Sequence, residues 1–175
     1  MRKFKVDREA FAEFSVLMHE NAVENPHAQL RFKVTVEDAL KSPVIADPIR
    51  LLDCAPIGDG AAALILCPME EARKICDTPV EIAGIAASTD TISITNREDL
   101  LTLKASIVAA RRAYKKAKIT ADKIDLIELH DAFTIMGFLS IESLLPIKKG
   151  EAPKLLREGE LNVDGEFPVN PSGGL

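Results

Sequence analysis

The chain has 175 residues, of which 47% are hydrophobic and 28% charged, a composition typical of one folded domain with a buried core. Its formal net charge of −5 and its lack of tryptophan argue against a basic or base-stacking surface for nucleic acid. No apolar run approaches the ~20 residues that a membrane helix needs, and the first residues lack the apolar core of a signal peptide.

Two helices are predicted near the start of the chain. Asp7 is a candidate N-cap for a helix that ends near Ala22, because apolar residues recur there at helical spacing. A second, short helix is predicted over 34–40, with Thr35 as its cap. Two X-Pro pairs then predict an extended stretch over 42–48, since a residue before proline is disfavoured in the α region.

The middle of the chain predicts strands alternating with helices. Residues 61–67 form a continuous apolar run, which is typical of a strand buried on both faces. A connecting helix is predicted over 69–75 and a second strand over 80–88. The clearest helix spans 100–117, where apolar residues alternate in steps of three and four. Basic residues in its last turns favour a solvated helix end over a binding patch.

The last third predicts a strand over 125–129 and a helix over 134–145. Residues 148–166 are charged and glycine-punctuated, and we expect them to form a surface excursion that covers an edge. Strands alternating with helices indicate an α/β fold.

His130 and Asp131 stand between the strand and the helix of this last third. A histidine at a strand end can donate a hydrogen bond where negative charge develops, although it can equally cap a helix or lie satisfied in a core. Asp131 is interpreted as an N-cap for the helix that begins at Thr134, or as a partner that fixes nearby backbone. Phe133 is expected in the core or in a pocket wall.

The three cysteines do not indicate a disulfide framework. Cys54, Cys67 and Cys76 are odd in number and form no Cys-x-x-Cys motif, which favours a reducing, cytoplasmic compartment. Cys54 lies beside a proline-glycine turn but is not favoured as a nucleophile, and the other two are expected to be structural. His19 and His27 have no partner at metal-ligand spacing, so no metal site is predicted.

Three segments together resemble the thiolases. They are residues 51–66 (LLDCAPIGDGAAALIL), 124–134 (IDLIELHDAFT) and 170–175 (NPSGGL). The chain is most similar to the archaeal acetyl-CoA acetyltransferases and the sterol-carrier-protein-type thiolases, which carry histidine where other thiolases have asparagine in an Asn-Glu-Ala-Phe motif.

The resemblance implies a layered α-β-α-β-α fold, of which this chain would hold the end of the first half and most of the second half. Residues 1–50 would end the inserted loop domain, 51–78 would close the N-terminal half, and 79–175 would form a truncated C-terminal half. In the family the reactive cysteine lies upstream of this region and a Gly-His-Pro loop lies downstream. We therefore expect the chain to be a fragment that is inactive by itself.

The resemblance also implies the site residues. His130 matches the family position that helps to form an oxyanion hole, directly or through an ordered water. Asn170, Gly173 and Gly174 match an Asn-x-x-Gly-Gly turn of the active-site loop, although an ordinary glycine turn would have the same sequence. The expected substrate is a CoA thioester, with no separate cofactor.

Two functions remain open from the sequence. The first is a part of an acetyl-CoA C-acetyltransferase that condenses two acetyl-CoA molecules or cleaves acetoacetyl-CoA. Its implied partners are further copies of the chain or a complementing thiolase half, and in archaeal relatives an HMG-CoA synthase and a small OB-fold scaffold protein. The second is a non-catalytic thiolase half that only associates with another subunit. A ketoacyl synthase relative is disfavoured by residues 130–133.

Overall fold

Six α-helices and one short hairpin make up most of the regular structure in a computed structural model that describes residues 1–175. The strands β1 (Val44–Ala46) and β2 (Ile49–Arg50) pair antiparallel, and single 3-10 turns lie at Leu51–Asp53, Ile94–Asn96 and Ala121–Lys123. The helices are α1 (Arg8–Glu24), α2 (Val36–Lys41), α3 (Met69–Ile75), α4 (Lys104–Ala117), α5 (Thr134–Leu144) and α6 (Ala152–Arg157).

The two predicted N-caps at the start of the chain are confirmed. The Asp7 carboxylate accepts a hydrogen bond from the Ala10 backbone N–H at 3.0 Å, which satisfies one of the free donors of α1. Thr35 and Asp38 form a reciprocal capping box at the start of α2. Both helices therefore begin where a local polar side chain replaces the missing backbone acceptor.

The core lies where α1 packs against α5. The Phe138 ring meets the Phe11 ring at a centroid distance of 5.5 Å and the Phe14 ring at 5.1 Å, both edge to face. Gly137 lets the two helices approach, because a Cβ at this position would stand 2.5 Å from the Phe14 ring. The aromatic contacts fix how α5, and the turn before it, sits on α1.

The two strands predicted in the middle of the chain are not formed. Residues 61–67 and 80–88 have no strand partner, and their large apolar side chains are exposed. Segment 80–88 lies along α4 instead, where the Lys116 ammonium donates to the Ile85 carbonyl at 2.8 Å. A strand needs a neighbouring strand to bind its backbone, and this chain offers none at either position. The predicted helix between them, α3, is confirmed.

The strand predicted over 125–129 is reduced to one parallel bridge between Ile127 and Val169. The helix predicted from Leu100 begins later, at Lys104, after a turn in which Asp99 accepts from the Leu101 N–H at 3.1 Å. That local hydrogen bond holds the preceding residues out of the helix.

The prediction of a surface excursion over 148–166 is wrong. This region contains α6, and Ala152, Leu156 and Leu161 are buried in the same core as α1 and α5. The charges of the region lie on its outer side, where Arg157 donates to the carboxylates of Asp7 and Glu13. No helix of the chain combines the length and the apolar character that a bilayer span requires.

Candidate functional site

A parallel bridge joins the segment before His130 to the segment before the 170–175 loop. The Ile127 N–H donates to the Pro168 carbonyl at 2.9 Å, and the Asn170 N–H donates to the Ile127 carbonyl at 2.8 Å. The Leu129 N–H then donates to the Asn170 side-chain oxygen at 2.7 Å. The residue directly before His130 is thus held by Asn170.

An antiparallel bridge holds the residues that follow His130. Cys54 pairs with Phe133, and the Ala55 N–H donates to the Ala132 carbonyl at 2.9 Å. His130 itself is exposed, while its backbone is fixed on both sides by these two bridges. The structure therefore presents one imidazole to solvent from a rigid turn.

Asn170 is the most enclosed polar residue of the site, with a relative exposure of 0%. Its backbone has a φ of +45°, in the left-handed region. The Asn21 amide on α1 donates to the Val169 carbonyl at 3.2 Å and to the Asn170 carbonyl at 3.0 Å. Asn170 therefore connects the core helix, the His130 segment and the glycine loop.

The loop over 170–175 is ordered by polar contacts from neighbouring elements. The Glu128 carboxylate accepts from the Ser172 hydroxyl at 2.7 Å, and the Asn25 amide donates to the Ser172 carbonyl at 2.8 Å. Gly173 and Gly174 have φ values of +106° and +72°. A Cβ on Gly174 would stand 2.3 Å from the Asp131 carboxylate, so both conformation and space require glycine there.

Asp131 fixes this loop and does not cap α5. Its carboxylate accepts from the Leu175 N–H at 3.0 Å, whereas the N-cap of α5 is Phe133, which makes no side-chain cap bond. Of the two roles predicted for Asp131, the capping role is wrong and the backbone-fixing role is confirmed. Burial raises the pKa of Asp131, and the Leu175 N–H partly offsets this by favouring the carboxylate.

A second buried carboxylate, Asp53, lies behind the His130 turn and is absent from the sequence prediction. It accepts from the Arg8 guanidinium at 2.6 Å, from the Arg50 backbone N–H at 2.7 Å and from the Thr134 hydroxyl at 3.2 Å. The sequence signal was available, since an aspartate between Leu52 and Cys54 is a charge inside an apolar stretch.

The cysteines occupy unlike positions. The Cys54 thiol donates to the Arg50 carbonyl at 3.3 Å, and burial together with the charge of Asp53 raises the pKa of Cys54. A raised pKa disfavours the thiolate that a nucleophile needs. Cys67 and Cys76 are exposed free thiols, so the prediction that they are structural is wrong. The structure shows no group of three His, Cys, Asp or Glu side chains arranged to hold a metal.

A cavity of about 600 Å³ lies between α1 and the 170–175 loop, and the buried Asp53 is among the residues that line it. Asp131, Thr134 and Cys54 line it, and so do Gly173 and Gly174 of the glycine turn, whereas His130 and Asn170 do not. Phe133, expected in the core or a pocket wall, is 44% exposed and lines no part of this cavity.

Comparison with known proteins gives consistent matches. The family described as thiolase C-terminal domain-like matches residues 86–175. An acetyl-CoA acetyltransferase from Methanothermobacter thermautotrophicus is 49% identical over 175 residues, which cover 100% of this chain and 46% of that protein. Sterol carrier protein 2 from Gallus gallus is 31% identical over 180 residues, covering 100% of this chain and 33% of that protein.

A solved structure described as an Ltp2-ChsH2(DUF35) aldolase superimposes with a TM-score of 0.91 at 27% identity, covering 99% of this chain and 47% of that chain. The chain thus spans about half the length, or less, of the relatives that it matches. The resemblance to archaeal acetyl-CoA acetyltransferases and sterol-carrier-protein-type thiolases is confirmed. Because the family match covers half of the chain, the protein belongs to the thiolase family and has a thiolase-like fold.

Proposed function

We propose that this chain forms part of an acetyl-CoA C-acetyltransferase, which condenses two acetyl-CoA molecules or cleaves acetoacetyl-CoA through a cysteine acyl-enzyme. The observation that carries the proposal is the placement of His130, an exposed imidazole on a turn that is fixed by backbone bridges on both sides. Family membership and the 49% identity to an archaeal acetyl-CoA acetyltransferase support the same reaction.

His130 would act on the oxygen of the second thioester. When a base removes the α-proton of that thioester, negative charge develops on the carbonyl oxygen, and an imidazole N–H can donate to it. The enolate carbon then attacks the acyl-enzyme carbonyl, which forms the C–C bond and releases the cysteine thiolate. A donor fixed before the reaction stabilises this charge without reorganisation, which is why a rigid turn suits the role.

Asn170, Gly173 and Gly174 would shape the active-site loop beside His130. Asn170 is fully buried and holds the Leu129 N–H, so it acts on the substrate through the backbone that it orders. The two glycines allow close backbone approach at positive φ. The CoA thioester would be the substrate, and the reaction would need no further cofactor.

The nucleophile would come from outside these residues. The Cys54 thiol has a raised pKa and donates to a carbonyl, which does not suit acyl transfer. A complementing thiolase segment that carries the reactive cysteine would then complete the site. The exposed apolar residues of segments 61–67 and 80–88 offer surface for such an association.

The test is His130→Ala in the natively expressed assembly, with acetoacetyl-CoA thiolysis as the assay and the intact mass of every polypeptide measured in the same sample. We expect turnover to fall by about 10²-fold or more, since one oxyanion donor is lost. His130→Asn, which retains an N–H donor, should keep more activity than His130→Ala, and Lys123→Ala on the exposed surface should keep all of it. Unchanged turnover in His130→Ala would refute the proposal.

A second candidate function is a non-catalytic subunit that only binds another thiolase polypeptide. The observation that favours it is the exposed apolar surface, which includes Ile65 at 96% and Val80 at 93% relative exposure. A native sample with no thiolysis activity but a stable association with a second chain would favour this function over catalysis.

A further inference from the structure

We propose that the buried Asp53 carboxylate is a positioning residue for His130, acting through the Thr134 hydroxyl. This inference rests on the proposed function, because it concerns how the same imidazole is held. It adds a role for Asp53, which lines the cavity together with Thr134. Asp53 has a relative exposure of 3%, and both of its carboxylate oxygens accept hydrogen bonds from the protein.

The geometry joins three parts of the chain at one carboxylate. One oxygen of Asp53 accepts from the Arg8 guanidinium on α1 and from the Arg50 backbone N–H, at 2.6 Å and 2.7 Å. The other oxygen accepts from the Thr134 hydroxyl at 3.2 Å. Thr134 is the first residue of α5 and is itself buried. Asp53 therefore ties the beginning of α5 to α1 and to the β2 strand.

The guanidinium of Arg8 depends on the Asp53 carboxylate. Its Nε and Nη1 atoms are buried and have no hydrogen-bond partner, so the Asp53 carboxylate is the group that compensates its charge. A buried cation without its anion is unfavourable, and this discourages any movement that separates the two. The Thr134 hydroxyl therefore donates to the Asp53 carboxylate, which Arg8 on α1 holds in place.

The short backbone between Thr134 and His130 transmits this restraint. Phe133 and Ala132 are bridged to Cys54 and Ala55, which directly follow Asp53 in the chain. The turn after His130 is thus attached to residues 53–55 by one side-chain bond and by backbone pairing. On its other side His130 is held by the Leu129 contact with Asn170. Asp53 fixes the turn relative to α1, whereas Asn170 fixes it relative to the glycine loop.

Thr134→Val tests the link with little disturbance, because valine keeps the shape of threonine and removes only the hydroxyl. Asp53→Asn would leave Arg8 uncompensated and can prevent folding, so it serves only as a secondary variant. Thr134→Ser is the matched control, since it keeps the hydroxyl. The readout on the chain itself is the NMR spectrum of the imidazole groups, which come from three histidines: His19, His27 and His130.

We expect Thr134→Val to displace the His130 ring resonances and to leave those of the exposed His27 unchanged. In Thr134→Ser, which keeps the hydroxyl, the His130 resonances should stay at their wild-type positions. In the native assembly the same variant should lower kcat by between about ten- and a hundredfold at constant KM, as expected for a small misplacement of a catalytic donor. Unmoved His130 resonances in Thr134→Val would overturn the inference. So would an equal displacement of all three histidines, which would indicate a general loss of structure.

The experiments distinguish a failure of the proposed function from a failure of the positioning role of Asp53. If His130→Ala leaves thiolysis unchanged while Thr134→Val still displaces the His130 resonances, the catalytic role is refuted and the structural coupling stands. If His130→Ala abolishes turnover but Thr134→Val moves neither the resonances nor kcat, the function stands and the role of Asp53 is refuted.

Discussion

Replacing Phe138 with alanine should remove a large part of the stability of this fold. Phe138 is 3% exposed and meets two aromatic rings of α1 edge to face. Truncating a buried phenylalanine to alanine costs about 3–5 kcal/mol, compared with a total unfolding free energy of about 5–15 kcal/mol for an ordinary domain. Phe138→Leu keeps most of the volume but loses both edge contacts, each worth about 0.5–1.5 kcal/mol, so we expect about 1–3 kcal/mol.

Urea denaturation followed by circular dichroism measures these differences as shifts of the midpoint at constant slope. The matched control is Phe133→Leu, because Phe133 lies just before α5 but is 44% exposed. A substitution at such a position should change the free energy of unfolding by less than about 0.5 kcal/mol. If Phe138→Leu costs no more than Phe133→Leu, the contact between α1 and α5 is not the main source of stability.

Two further predictions follow from the site and the surface. Burial raises the pKa of Asp131, so the folded state favours the protonated acid. This contribution to stability is complete below the ordinary aspartate pKa of about 3.9 and is lost as pH rises through the raised pKa of the folded state. Asp131→Asn, which stays neutral and can still accept from the Leu175 N–H, should therefore raise Tm near neutral pH and change it little in acid; an equal Tm at neutral pH would contradict this. The exposed apolar segment over 61–67 should cause self-association, and Ile65→Lys should reduce it in sedimentation velocity. A wild-type chain that stays monomeric at high concentration would refute that expectation.

The sequence predicted well those elements whose signals are local. The caps at Asp7 and Thr35 were found because each side chain bonds to backbone only three residues away. The helix over 134–145 was placed to within one residue, since its apolar pattern persists over its length. The strands over 61–67 and 80–88 were predicted wrongly for the opposite reason, because a strand is defined by a distant partner and these residues have none.

The candidate site was predicted in part. The motif placed His130 at the end of an apolar segment and identified the glycine turn, and the structure brings both to one region through Asn170. It did not reveal that Arg8, Asp53 and Thr134 meet, because these residues are far apart in the chain. The charges around α6 led to the wrong prediction of a surface segment over 148–166, although Leu156 and Leu161 in that segment are buried in the core.

The core is formed by two groups of residues that are far apart along the chain. No buried member of the core cluster lies between Met18 and Ile127, so folding must close one long loop before the two groups meet. The entropy of closure depends only weakly on loop length, and halving such a loop changes the free energy by about 0.6 kcal/mol. Apart from residues 50–55, which carry the contacts of Asp53 and Cys54, the exposed residues of this loop can therefore change in length and sequence at little cost to the core. Their exposed apolar side chains are free to be selected for contacts with other polypeptides.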